Sequence, residues 1–301
     1  MQAYAHRAVG GGLITRRTAA AGLALLLGGC RRPVPGRERP LLVVFGPRHG
    51  PENAELLRTR LESSSKLKLE FHLAKSSDEA IDLVQSGRAD AALLSLFDYF
   101  FCAGIFDVEP LVQVVRHGAA TQASELLVPA QSSVREVAEL RGQRVGYVDR
   151  YSVTGFLLPA AHLGKAGVTV EPVWLGTHDA VLTAVQEGRV AAGASYAGHG
   201  ATVTGLRVLA TLAPIANEPV FVQRALPSDV REALKGAWLA EQDAKSLAGL
   251  ADATGFRAAP AQAFEEALST LKAAGLQVED TLEGGWLRAN EHRRPAWSYG
   301  P

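Results

Sequence analysis

The residues best placed to do chemistry lie in one stretch, Asp149-Arg150-Tyr151-Ser152-Val153-Thr154-Gly155-Phe156. An apolar run over 144–148 feeds a turn with two hydroxyl residues and a glycine, then a helix-like pattern over 155–164. A helix start leaves amide N–H groups without carbonyl partners and carries a partial positive charge. Ser152 and Thr154 add hydroxyl donors, and Gly155 lets an oxyanion come close to the backbone. These types suit a small tetrahedral anion held without a lysine. Ser and Thr are also ordinary caps, so the segment alone does not separate anion binding from capping. A second junction, Gly176-Thr177-His178-Asp179-Ala180, puts an imidazole at another helix start. The dipole there lowers its basicity, while the neutral ring still offers one N–H.

Both turns need elements to hold them. Strand-like runs at 41–45, 67–73 and 89–94 alternate with helix patterns at 51–64 and 76–86. This βαβαβ rhythm predicts a largely parallel sheet covered by helices. Residues 125–129 read as a strand leaving that sheet. A second series follows, with strands at 144–148, 170–175 and 190–195 and a helix at 178–187. Apolar runs at 206–212 and 220–223 precede helical periodicity over 228–251 and 261–274. Ser76-Ser77-Asp78 with Val84-Gln85-Ser86-Gly87-Arg88 returns 101 residues later as Thr177-His178-Asp179 with Val185-Gln186-Glu187-Gly188-Arg189. Each copy is a polar cap, an acid in the first turn, an amphipathic helix and a terminal glycine. The repeat predicts two lobes of like topology whose helix starts face one cleft.

On these residues the chain resembles a known family. Leu140-Arg141-Gly142-Gln143-Arg144-Val145 through Thr154-Gly155, then His178-Asp179-Ala180 and Gly188-Arg189-Val190-Ala191-Ala192-Gly193-Ala194, is similar to the phosphate/phosphite/phosphonate-binding proteins of ABC transporters. Pro214-Ile215-Ala216-Asn217-Glu218-Pro219 resembles a further stretch of that pattern, and the likeness covers most of 41–275. It implies an α/β, two-lobed type II periplasmic-binding-protein fold, each lobe a mainly parallel sheet flanked by helices, with the ligand between lobes. The implied division is lobe 1 at 41–127 plus 219–301 and lobe 2 at 128–218.

By position, the resemblance implies that Ser152, Val153 and Thr154 hold phosphorus-bound oxygens and that His178 donates to them. Tyr99 falls on a family tyrosine from the opposite lobe. Glu218 falls where the family places an acid that meets a P–OH proton or an ammonium substituent. Ser77 stands where many relatives carry an aromatic residue, and Val153 replaces a hydroxyl. The polar half of the site is kept, and the half that selects the substituent on phosphorus is altered. A bare carboxylate beside an anion is costly, which favours a protonated or amine-bearing ligand.

The front of the chain reads as a leader. No acid occurs before Glu38, Arg7, Arg16 and Arg17 make the start basic, and a short apolar stretch ends in Leu27-Gly28-Gly29-Cys30. Basic region, apolar core and small residues before a cysteine form a secretory signal over 1–29 resembling the bacterial lipobox. Cys30 would then be lipidated and become the mature first residue. Thr15-Arg16-Arg17 also resembles the start of a twin-arginine signal, without its usual apolar pair. Proline-rich residues 30–40 read as a tether to the membrane.

The whole chain has 301 residues, 47% of them hydrophobic, with 31 basic and 31 acidic side chains. That balance excludes a general attraction to nucleic acid and suits a folded body with a real core. No apolar run reaches the roughly 18 residues of a membrane span. Two cysteines make no disulfide scaffold, and no HExxH, GxSxG, Walker A or CxxC motif marks an enzyme, a metal or a cofactor. Asp98, Asp107 and His199 show no partner at triad or metal spacing and read as solvated or helix-terminal. The expected protein is an extracytoplasmic, lipid-anchored, monomeric binding protein that serves ABC permease subunits. Alternatives are a sensor-coupled or orphan binder of another small anion or organic ligand and, further off, an extracytoplasmic enzyme.

Overall fold

A computed structural model describes residues 33–250 and 252–273. The leader, Cys30 and the tail beyond 273 lie outside the described residues. Six strands form the first sheet: β1 (Leu41–Phe45), β2 (Leu69–Leu73), β3 (Ala91–Leu93), β4 (Val108–Arg116), β12 (Pro219–Gln223) and β13 (Ala253–Ala258), in the order β13-β4-β12-β3-β1-β2. Five form the second: β6 (Ser124–Pro129), β7 (Arg144–Tyr147), β8 (Glu171–Trp174), β9 (Ala192–Tyr196) and β10 (Leu206–Thr211), in the order β10-β6-β9-β7-β8. A two-stranded ribbon, β5 (Thr121–Gln122) against β11 (Ile215–Ala216), joins the two crossing segments.

The two sheets repeat one plan. In each, a central strand pairs in parallel with two neighbours, β1 with β2 and β3, β7 with β8 and β9. In each, an antiparallel strand then closes the parallel set, β12 on β3 and β6 on β9. The helices α2 (Ser77–Gln85) and α5 (His178–Gln186) are copies in detail. Their caps, Ser76 and Thr177, are extended, and each hydroxyl accepts from the amide three residues on. Both helices end at a glycine with φ near +65°, 65° at Gly87 and 69° at Gly188, a conformation that a Cβ resists. The spacing seen in the sequence is thus a duplicated αβ unit.

Several expectations need correction. Residues 124–129 do not leave the first sheet but belong to the second, paired with β9 and β10. The crossing therefore falls at 117–123, ahead of the 127/128 division. The tether is docked from Val34 onward. Val34 packs on the core beneath the first sheet, and Arg39 forks onto the buried Asp90 carboxylate at 2.6 and 2.7 Å. The helical pattern over 228–251 is broken into α6 (Ser228–Ala240) and α7 (Ala244–Leu247). At the break Glu241 is buried, accepting from Arg60 at 2.8 Å and the Ser246 hydroxyl at 2.9 Å, while Asp243 caps α7. Strands β4 and β13 were not anticipated. Gln113 of β4 is fully buried because its amide donates to the Ala120 and Asn217 carbonyls, so a polar residue occupies a core position.

Cores lie on both faces of the first sheet. One, around Trp238, Leu57 and Leu61, sits under α1 (Ala54–Ser65) and α6. The other gathers α3 (Leu96–Ile105) and reaches across to Leu157, Leu158 and Ile215, so apolar packing ties the lobes together beside the cleft. No helix among the described residues is long and apolar enough to cross a membrane.

Candidate functional site

From β7 the chain enters a tight turn that Asp149 organises by accepting the Tyr151 amide at 2.8 Å. The next residues, Val153–Leu157, wind as a π-turn that leads into α4 (Leu158–Lys165). The Val153 and Thr154 amides lie ahead of the first intrahelical bond, so both remain available as donors. Ser152 is the cap, its oxygen accepting the Gly155 amide at 3.1 Å, which leaves its hydroxyl proton to give away. Gly155 has a different role from the one expected. Its amide is consumed by the cap, and a Cβ there would lie 2.5 Å from Val148 Cγ2. The absence of a Cβ lets the turn pack closely on its strand and leaves room for Ser152 Oγ, 2.7 Å from where that Cβ would lie.

His178 opens α5 and faces the same space, with the Thr177 hydroxyl capping behind it. Its Nδ1 lies 3.0 Å from Ser195 Oγ, that oxygen lies 2.9 Å from His199 Nδ1, and His199 Nε2 lies 3.0 Å from Asp179 Oδ1. His199, expected at the solvent, is buried in this chain and stacks on Tyr196 with ring centroids 4.4 Å apart. Burial first, then the neighbouring His199 and Arg48, lower the His178 pKa to about 4, so the ring is neutral at ordinary pH. Serine, histidine and aspartate meet here, yet Ser195 is 0% exposed and held between two imidazoles. It has no open face from which to attack a substrate.

The first lobe supplies the opposite wall. Glu218 is buried, and the Arg116 guanidinium clasps it in a two-pronged pair, with Nη1 at 2.9 Å from Oε2 and Nη2 on Oε1. His49 Nε2 adds a contact at 3.1 Å. Burial by itself would raise the Glu218 carboxyl, but Arg116 and His49 overcome it and hold the pKa well below the usual carboxylate range. Its charge is therefore met by the protein, contrary to the expectation that it waits for a ligand proton or ammonium. Arg48 reaches across the cleft mouth to Asp149 of the other lobe.

Between the walls is a cavity of about 290 Å³, near the small end of ligand pockets (roughly 300–1,000 Å³). Ser152, Val153, Thr154, His178 and Glu218 line it; Gly155, Tyr99 and Ser77 do not. Tyr99 is a core residue, 5% exposed, its ring within 5.3 Å of both Phe221 and Phe264. That placement follows from α3, whose first seven residues are all buried. Ser77 donates to Asp98 at 3.0 Å behind the wall, and Asp98 is itself buried, not solvated, with burial raising its pKa. The sequence reading missed Arg48, His49, Arg116 and Asn217. The signals it offered were the polar turn Gly46-Pro47-Arg48-His49-Gly50 at the end of β1, a strand end of the type that carries ligands in α/β sheets, and the place of Asn217 beside Glu218. Among the described residues no cluster of three His, Cys, Asp or Glu has the makings of a metal site.

Residues 44–264 match the model of a family described as "ABC transporter, phosphonate, periplasmic substrate-binding protein". A phosphate-import protein PhnD of Mycolicibacterium smegmatis is 27% identical over 212 residues, 60% of this chain. The match spans 64% of that relative's length. Among solved structures, XAC2383 from Xanthomonas citri bound to ATP superposes with a TM-score of 0.69 at 19% identity, covering 81% of this chain and 99% of that one. PhnD1 from Prochlorococcus marinus, in complex with methylphosphonate, gives 0.62 at 15% identity, covering 77% and 97%. At these identities both structures speak for the fold, two α/β lobes of the type II periplasmic-binding-protein kind.

Proposed function

The chain belongs to the family of periplasmic substrate-binding proteins of ABC phosphonate transporters, and from that premise we propose that it captures a phosphorus oxyanion (phosphonate, phosphite or phosphate) outside the cytoplasm and hands it to ABC permease subunits. The observation that carries the reading is the meeting of two donor walls in one cavity. The Ser152 hydroxyl and the Val153 and Thr154 amides lie on one side, with the His178 ring beside them, and Arg48 and Arg116 on the other. Each guanidinium already has a carboxylate, Asp149 or Glu218, so hydrogen bonds hold the guest more than net charge does. Hydrogen bonds to a charged group are worth about 1.5–3 kcal/mol each. Four or five of them can exceed the roughly 8 kcal/mol of a micromolar complex after association costs.

Because Arg116 and His49 satisfy Glu218, the ligand needs no ammonium. Leu96, Ile215 and Tyr196 add apolar surface alongside Ser95, Gln122, Asn217 and Asp252, which suits a small alkyl substituent or none. Phosphate, named for the mycobacterial relative, and methylphosphonate, bound in the Prochlorococcus structure, both fit that description. Binding without turnover is supported by Ser195 being sealed between its imidazoles. The leader sequence supports anchoring through a lipid on Cys30.

A ligand that binds only the folded state raises the melting temperature. Phosphate, phosphite or methylphosphonate at millimolar concentration is expected to do so, and 2-aminoethylphosphonate to do so less. A folded sample whose melting none of the four alters would refute the ligand class. Metabolic labelling with a radioactive fatty acid is expected to mark the chain and to be lost in Cys30→Ala.

A further inference from the structure

We infer that the chain Asp179–His199–Ser195 fixes the tautomer of His178, so that its Nε2 meets the ligand as a hydrogen-bond acceptor and the site selects an oxyanion that still carries a proton. This rests on the phosphorus reading above and reverses the expectation that His178 is a donor.

The direction follows from the end of the chain. Asp179 is a carboxylate with an 88% exposed side chain, and a carboxylate only accepts, so His199 carries its proton on Nε2. In a neutral His199 the Nδ1 is then an acceptor, and the donor placed 2.9 Å from it is the Ser195 hydroxyl. With its proton spent, Ser195 Oγ accepts from His178 across 3.0 Å, which puts the His178 proton on Nδ1. A ring protonated at Nδ1 alone presents a bare lone pair at Nε2, the nitrogen left for the occupant of the cavity. The His178 ring stays neutral chiefly because it is buried, with Arg48 also opposing a second proton.

An acceptor at this point rewards a P–OH and penalises an anion without one, because two lone pairs would be pressed together. The Ser152 and Thr154 wall donates to the ionised oxygens and His178 receives the proton of the remaining one. Methylphosphonate monoanion and methanesulfonate have the same shape and charge and differ in that proton.

Two measurements decide the matter. Long-range proton–nitrogen spectra of the ligand-free, histidine-labelled chain should show His178 protonated at Nδ1 and bare at Nε2. Protonation at Nε2 instead would overturn the inference whatever the ligand proves to be. Calorimetry at a pH where the monoanion prevails should show methylphosphonate bound about ten- to a hundredfold more tightly than methanesulfonate. In Asp179→Ala, a change at an exposed side chain, the preference should shrink and the His178 signals should report both tautomers. Ser195→Ala should do the same from the buried side. Equal affinity of the unmodified chain for the two anions would overturn the selectivity. Binding of neither anion would refute the phosphorus reading and the selectivity with it, while the spectrum still decides the tautomer.

Discussion

At the scale of residues, the two walls of the cavity are built differently, one from a local turn and the other from side chains far apart in the chain. Ser152 and Thr154 sit at a strand-to-helix junction whose geometry is local, so a dozen residues suffice to place them. Arg116 and Glu218 meet only because β4 and β12 are sheet neighbours, 102 residues apart in sequence, and nothing near either residue announces the other. Arg116→Met should cost about 3–5 kcal/mol by stranding a buried carboxylate. Denaturant titration should show much of that recovered in Arg116→Met/Glu218→Leu. Protonation bears on stability through His178. Its folded pKa of about 4 lies below the unfolded value, about 6.5. The unfolded chain thus binds the proton first, and the stability that His178 contributes is present above about pH 6.5 and lost as pH falls toward 4. Melting curves across that window should flatten in His178→Asn. An unchanged slope would mean that the ring is not buried in its neutral form.

At the scale of elements, the duplicated unit was legible because caps, amphipathic stripes and terminal glycines are local signals, and α2 and α5 repeat all three. Strand β4 was hidden by Glu109, Pro110 and Gln113. Pro110 lies where the register shifts against β12, and Gln113 is buried through side-chain hydrogen bonds that no period of two reveals. The π-turn at Val153–Leu157 was read as plain helix because the sequence shows a glycine but not the neighbour that demands it. Gly155→Ala should therefore destabilise the fold by about 1–3 kcal/mol and weaken ligand binding together. The nearest clash is with Val148, and Ser152 Oγ also lies 2.7 Å from the added Cβ, so Val148→Ala should restore part of the stability in the double variant and less of the binding. No recovery of stability would show that Val148 is not what demands the glycine.

At the scale of the whole molecule, the lobes meet through apolar packing around Leu157 and Ile215 and through the Arg48–Asp149 pair at the cleft mouth. The pair is 46% and 27% exposed, and exposed pairs are worth about 0–1 kcal/mol, so Arg48→Ala should shift closure, read by small-angle scattering, only slightly. On the proposed reading, the guest draws the lobes together by bonding to both walls at once. The most direct measurement is calorimetric titration of the folded chain with phosphate, phosphite and methylphosphonate, in parallel with Ser152→Ala/Thr154→Ala. One-to-one binding of at least one anion, weakened a hundredfold or more by the double change on the order of 3 kcal/mol, is the expected result. Undiminished affinity in the double variant would contradict the account, because the oxyanion would then be held somewhere other than the head of the Val153–Leu157 turn.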